Sequence, residues 1–305
     1  MTGGQRATLD LNKIFSAAQL PALPQSAIRL LDLSQAAGTT TGEFAVPIES
    51  DPGLASQVLR FVNSSYFGFA GEISSVKTAL ALVGIRTIKN FALWSAVFSL
   101  MPNPKCGPFD LKSLWQDSLR RAMFARAIGK LLKVAEPEDL FAAALLQDMA
   151  VPVLAKEAPE LYVRLLESSD QLQMRLSTLE QQLFGWSHAV AAGMMARRWN
   201  LPEQFAILIE NHVALDCWAA EAEKEPAKLA VALSALLPST SDSGWHECAE
   251  LEATYEKVTP AGRPAMAAVL ARIDEEFGQF APILKVATPA KSLLDRYQEV
   301  AVGAA

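Results

Sequence analysis

The chain is poor in the residues that most often announce an enzyme. It holds three histidines, His188, His212 and His246, and three cysteines, Cys106, Cys217 and Cys248. The cysteines are widely spaced, odd in number and form no CxxC pair, so neither a disulfide framework nor a structural zinc site is written in them. They read as free thiols of a reducing cytoplasm. A glycine-rich dinucleotide turn, a P-loop, an HExxH helix and a nucleophile elbow are missing. Long apolar runs are missing too: the longest, Phe91 to Met101, is about 11 residues, where a membrane span needs about 20. The opening MTGGQRATLDLNK has no apolar core of the signal-peptide kind. The expectation is a cytoplasmic protein with no membrane partner. Excess basic charge is also absent. A net charge of -6 argues against broad nucleic-acid binding, which needs clustered Lys and Arg against phosphates. The small clusters present, Arg120-Arg121 with Arg126 and Lys130, and Arg197-Arg198, read as solvated helix faces.

What is present is apolar and helical. At 51% hydrophobic and 20% charged residues, most of the chain is excluded from disorder, and 305 residues suffice for a large core or two domains. Helix punctuation is dense. Pro24 and Ser26 open one helix, and Asp51-Pro52 opens another with Leu54, Val58, Leu59 and Val62 at helical spacing. Asn63-Ser64-Ser65 breaks it. Ser75 caps a third, which Gly84 stops in a left-handed turn. A helix from Ile85 to Leu100 is apolar nearly all round and belongs in the core. Pro102, Pro104, Gly107 and Pro108 mark a boundary. Asp110 then caps a long helix to about Lys133, and further helices are expected over 138–149, after Pro152 and after Pro159. Ser177-x-x-Glu180 has the form of a capping box. Gly185 ends that helix, Ser187 caps the next to Trp199, and Asn200-Leu201-Pro202 turns into another. Helical patterns recur over 227–237, 264–277 and 289–300. The Ser-rich segment 238–244 reads as a flexible loop. Strand-like alternation is scarce, so the predicted class is all-α.

Candidate chemistry reduces to a few polar residues in the second half. Asp148, after the apolar run Ala144-Leu145-Leu146 and beside Gln147, is read either as a metal ligand or polar hub, or as a cap or ion pair. His188, in the first turn of its helix, and His212 are each read either as ligands or as structural hydrogen-bonding residues. Asp117 sits near a helix N-terminus, where the dipole favours it. His246 is taken as surface. Trp218 and Trp245 are either interface or core.

In order along the chain, these segments resemble an HDOD domain, the non-catalytic signalling relative of the HD phosphohydrolases. Leu20-Pro21-Ala22-Leu23-Pro24 resembles that family's opening LPxLP. Asp51-Pro52-Gly53-Leu54 and Leu59-Arg60-Phe61-Val62-Asn63-Ser64 resemble its DPxL and LRxxNS segments. Tyr66-Phe67-Gly68, Ile73-Ser74-Ser75-Val76 and Ala79 to Ile85 continue in register. The resemblance covers about residues 12–235, with a lobe over 12–103 and an HD-like lobe over 109–235; a helical extension over 245–305 resembles nothing further. It implies an N-terminal helical lobe packed on an HD-like lobe, and a role in bacterial signal transduction through protein partners or a small ligand. The HD phosphohydrolases hold a divalent metal on a first His, a His-Asp pair and a later Asp. By resemblance these positions are Asp117, Gln147-Asp148 and Ser234, with His188 and His212 at accessory positions. An amide and a hydroxyl are poor ligands beside imidazole, so no metal, no cofactor and no catalysis are expected, and Asp117, Gln147, Asp148, His188 and His212 form a vestigial pocket. A rival reading gathers Asp117, Asp148, His188 and His212 around one ion in a divergent phosphohydrolase acting on a nucleotide or cyclic dinucleotide.

Overall fold

The computed structural model describes residues 9–15, 20–36, 38–282 and 286–303. The opening residues 1–8, read above for the lack of an apolar leader, lie outside them. Every regular element among the described residues is a helix. The first group comprises α1 (Leu11–Ile14), α2 (Gln25–Gln35), α3 (Thr41–Glu49), α4 (Pro52–Val62), α5 (Val76–Val83) and α6 (Ile85–Leu100). Local chemistry sets their starts: Asp51 accepts the Leu54 N–H, and the Ser75 hydroxyl accepts that of Thr78. The break after α4 is fixed by Asn63, whose amide bonds both the carbonyl and the N–H of Ile73. Gly84 does stop α5 at positive φ, but its ψ of 145° is extended, not left-handed helical. That conformation is open to glycine, and it turns α5 into α6 through 118°. The helix α3 was not expected from the sequence; a full capping box of Thr40 with Glu43 starts it, and Pro47 lies within it.

The second group is α7 (Leu111–Leu131), α8 (Pro137–Leu146), α9 (Val151–Glu157), α10 (Pro159–Leu172), α11 (Leu176–Phe184), α12 (His188–Arg198), α13 (Glu203–Glu210), α14 (Leu215–Ala220) and α15 (Pro226–Ser234), followed by α16 (Cys248–Val258), α17 (Met266–Phe280) and α18 (Leu293–Gly303). The long helix α7 is central: α8, α15 and α17 pack on it, while α6 meets α8 and α13 packs on both α8 and α12. Two close approaches set this geometry. A methyl group at Gly129 of α7 would fall 2.3 Å from Leu140 Cδ1 of α8, and one at Gly193 of α12 would fall 2.8 Å from Glu210 Cβ of α13. The first pair of helices carries Arg121 and leads to Asp148; the second carries His188 and leads to His212. The core is continuous from α1 to α18 and includes Trp245, whose indole donates to the Leu236 carbonyl. Trp218 is partly buried against that core and donates to the Asn211 carbonyl. No single helix among the described residues is long and apolar enough to cross a membrane.

The basic cluster on α7 is not a solvated face. Arg120 and Arg126 are each 3% exposed. Arg120 donates to the Lys291 carbonyl, and Arg126 pairs with Glu276 between the rings of Tyr66 and Phe141. Burying a guanidinium requires such partners, and the helices around α7 supply them. Lys130 is exposed, and Arg197 is an exposed member of a cluster with Glu203 and Glu210.

Candidate functional site

Asp148 lies two residues past the end of α8, His188 is the first residue of α12, and His212 follows α13. The helix packing brings all three side chains together in the interior, at 6%, 6% and 1% exposure. Asp148 Oδ1 is 3.3 Å from His188 Nε2 and 3.5 Å from His212 Nε2, and the two Nε2 atoms are 3.3 Å apart. The other carboxylate oxygen, Oδ2, accepts from Arg121 Nη1 at 2.5 Å. Burial opposes a charge on Asp148, but Arg121, helped by the two imidazoles, outweighs it and holds the carboxyl well below its usual range.

The outer nitrogens of both imidazoles are also committed. His212 Nδ1 lies 2.6 Å from the Ile209 carbonyl, which can only accept, so Nδ1 bears the hydrogen and Nε2 faces Asp148. His188 Nδ1 lies 2.7 Å from Glu180 Oε2, which also accepts the His188 backbone N–H at 2.6 Å. The other oxygen of Glu180 accepts from the Tyr162 hydroxyl at 2.7 Å. Burial lowers the basicity of both imidazoles. For His188 the carboxylates of Glu180 and Asp148 outweigh burial and raise its pKa to about 10. For His212 burial prevails and the shift is downward.

Glu180 therefore does not close a capping box with Ser177. Helix α11 starts after Arg175 without a side-chain cap, Ser177 is inside it, and the carboxylate caps α12 instead. Ser187 stands at the expected N-cap position of α12, but its side chain makes no capping bond; the first-turn N–H that a side chain does take is that of His188, and Glu180 takes it.

Asp117 stands apart from this trio. It is 2% exposed and accepts from the Ser239 hydroxyl at 2.6 Å and from the Thr240 N–H and hydroxyl at 2.9 and 2.6 Å. Burial raises its pKa, with Arg121 and these donors opposing. The four-residue grouping of the rival reading thus fails at Asp117. The segment 238–244 is accordingly a pinned loop. Besides binding Asp117, it receives Arg296 of α18 on the carbonyls of Ser239 and Asp242, and its Ser243 bonds Asp170. Gln147 is fully buried; its Oε1 lies 3.3 Å from the Ser234 hydroxyl, which also meets the Val231 carbonyl at 2.6 Å. Gln147 Nε2 has no hydrogen-bond partner among the described residues.

The quartet Asp117, Gln147, Asp148 and Ser234 does not fit a metal. One of its members is held by a loop, the Ser234 hydroxyl is turned to the Val231 carbonyl, and an amide and a hydroxyl replace an imidazole and a carboxylate. Asp148, His188 and His212 do have the composition and convergence of a ligand set. They open, with Asp117, Arg121 and Gln147, onto a cavity of about 350 Å³ that His246, exposed as expected, also borders. Sequence reasoning missed Arg121, Glu180 and Tyr162. The only signal for Glu180 and Tyr162 was polar groups in apolar-patterned helices, and Arg121 was hidden within a basic cluster.

A family model described as HDOD domain matches residues 20–215. An uncharacterized protein of Treponema pallidum is 24% identical over 194 residues, which are 62% of this chain and 37% of that relative, so the chain spans well under half of the curated relative it matches. A crystal structure of a Marinobacter aquaeolei protein, provisionally named for signal transduction, has a TM-score of 0.62 at 21% identity over 98% of this chain and 62% of that one. A Shewanella amazonensis structure, provisionally named a phosphohydrolase, has a TM-score of 0.62 at 20% identity over 95% and 97% of the two chains. At these identities the two structures bear on the fold alone.

Proposed function

The chain belongs to the HDOD domain family, and from that premise we propose that it is a non-catalytic regulatory module of bacterial signal transduction, which binds a protein partner or small ligand through the cavity around Asp148. The observation that carries this reading is the state of the four positions where HD phosphohydrolases hold their metal. The Ser234 hydroxyl gives its hydrogen to the Val231 carbonyl, an amide stands at Gln147, and Asp117 is taken by Ser239 and Thr240. A hydrolytic metal needs an ordered ligand set and a bound water of low pKa, and of these four side chains Asp117 is committed to a loop, Asp148 gives one oxygen to Arg121, and the other two are an amide and a hydroxyl. A partly buried pocket with a mixed lining and a few convergent polar groups is what a recognition site offers.

The second reading, a divergent metal phosphohydrolase, is favoured by the convergence of Asp148, His188 and His212. The name given to the Shewanella protein agrees with it. Turnover separates the two. The full chain, purified without chelator and supplied in turn with Mg²⁺, Mn²⁺ and Zn²⁺, is expected to leave bis-p-nitrophenyl phosphate and p-nitrophenyl phosphate at the buffer rate. Metal-dependent hydrolysis that disappears in Asp148→Asn would overturn the regulatory reading.

A further inference from the structure

Asp148 Oδ1, His188 Nε2 and His212 Nε2 form a triangle with edges of 3.3, 3.5 and 3.3 Å. All three atoms turn toward a common centre. Both Nδ1 atoms are held from outside by groups that accept, Glu180 Oε2 and the Ile209 carbonyl, so the hydrogens of neutral imidazoles sit on the outer nitrogens. Without an ion, the carboxylates of Glu180 and Asp148 keep His188 charged, and its second hydrogen lies on Nε2 inside the triangle; that proton, or a metal ion in its place, is the cation the interior needs. One proton there, shared along these edges, makes contacts well beyond the 2.7–2.9 Å of a charge-assisted hydrogen bond. A metal ion matches them. Zinc bonds of about 2.0–2.1 Å to nitrogen and oxygen put tetrahedral ligand atoms about 3.3–3.4 Å apart. An octahedral ion at similar bond lengths would bring neighbouring ligand atoms to about 2.9–3.0 Å.

The supporting shell is also that of a metal site. Ligand imidazoles characteristically donate their second nitrogen to a carboxylate or a carbonyl, which fixes tautomer and ring orientation. Here His188 has the carboxylate and His212 the carbonyl. Arg121 holds the outer oxygen of Asp148 and leaves Oδ1 for the centre.

We propose that Asp148, His188 and His212 bind one tetrahedral divalent ion of the zinc class, whose fourth position faces the cavity. Only Asp148 is shared with the quartet of the HD phosphohydrolases. The site departs from the expectation, drawn from that quartet, that the chain binds no metal. It does not depend on whether the protein turns over a substrate: a bound ion without hydrolysis leaves the regulatory reading intact, and a bound ion with hydrolysis removes that reading while this one stands.

Cobalt is the probe. The full chain, stripped with chelator and dialysed, is titrated with Co²⁺ and followed by visible absorption, and with Zn²⁺ by calorimetry. One ion per chain and the intense visible bands of tetrahedral cobalt are expected, with affinity reduced at least about 100-fold in His212→Ala and unchanged in Cys217→Ser, an exposed thiol outside the cavity. Folding of each variant is verified by far-UV circular dichroism. Absence of binding by the folded wild-type chain at 0.1 mM metal, taken as roughly the weakest affinity of interest, would overturn the site. So would weak octahedral-type bands on the wild type, a test that needs no variant.

Discussion

Glu180 is fully buried and holds three hydrogen atoms at once, from the Tyr162 hydroxyl, the His188 backbone and the His188 ring. Replacing it with alanine leaves all three donors facing an apolar gap. Each orphaned buried donor costs about 1–3 kcal/mol, and one of the three is also the cap of α12, worth about 1 kcal/mol in its own right. The losses overlap, and water entering from the cavity recovers part of them, so Glu180→Ala is expected to cost about 3–5 kcal/mol. Glu180→Gln has nearly the same shape. Its oxygen can accept from His188 while its amide donates to the Tyr162 oxygen, so the charge and the acceptor of the Tyr162 hydroxyl hydrogen are lost, at about 1–3 kcal/mol. Urea unfolding followed by tryptophan fluorescence measures both, read as a fall in midpoint at constant m-value. The reasoning is refuted by a Glu180→Ala protein within about 0.5 kcal/mol of wild type, or by Gln and Ala costing the same.

Two further outcomes follow from the same packing. Burial raises the Asp242 carboxyl from 3.8 to about 6. Below about pH 4 both folded and unfolded states hold the proton and nothing is lost; as pH climbs through 6 the folded state must carry the charge, so this group's contribution to stability falls. Asp242→Asn keeps an acceptor for the Ser239 N–H and is expected to gain about 1–3 kcal/mol on wild type between pH 4 and 7, and a difference independent of pH would contradict it. Gly193→Ala gains helix propensity but forces its methyl onto Glu210 Cβ, so thermal melting is expected to show a net loss of about 1–3 kcal/mol, and a stabilised variant would show that α12 and α13 can part freely.

The parts of the fold that sequence revealed are those whose physics is local. Asp51, Ser75 and Asp110 cap the helices expected of them, since a cap reads only the next three residues. Gly185 ends α11 in the left-handed conformation for the same reason. Misreadings cluster where a local signature has a distant partner. Ser177-x-x-Glu180 obeys the capping-box rule, yet Tyr162 and His188, 18 and 8 residues away, outbid Ser177 for the carboxylate. Arg120, Arg121 and Arg126 look like a solvated stripe because their counter-charges and carbonyl partners, from Glu138 to Lys291, lie 12 to 171 positions further on. The Ser-rich segment 238–244 has a loop's composition, and nothing in that composition says that Asp117, over a hundred residues earlier, holds it. The site was legible as a set of residues, since Asp117, Gln147, Asp148, His188 and His212 all border the cavity. Which of them meet was not, because the register of α12 and α13 against α8 depends on glycine contacts that only packing reveals.

These contacts also bear on the stretch after residue 215, where the family match ends. Arg296 of α18 donates to the carbonyls of Ser239 and Asp242; Ser239 and Thr240 hold Asp117; and Arg121 feels Asp117 and Asp148 together. From Asp148 the chain of contacts runs through His188 and Glu180 to Tyr162. Buried polar groups are stable only when each has its partner, so a network of this kind stands or falls as a unit. Two of its segments, the loop 238–244 and α18, lie wholly outside the matched region. The C-terminal helix α18 therefore supports the wall of the cavity without lining it, because without the loop it holds in place Asp117 would be a buried carboxylate with its three donors gone. A ligand that draws Asp117 toward itself must first displace Ser239 and Thr240, and through them it acts on the helix that carries Arg296.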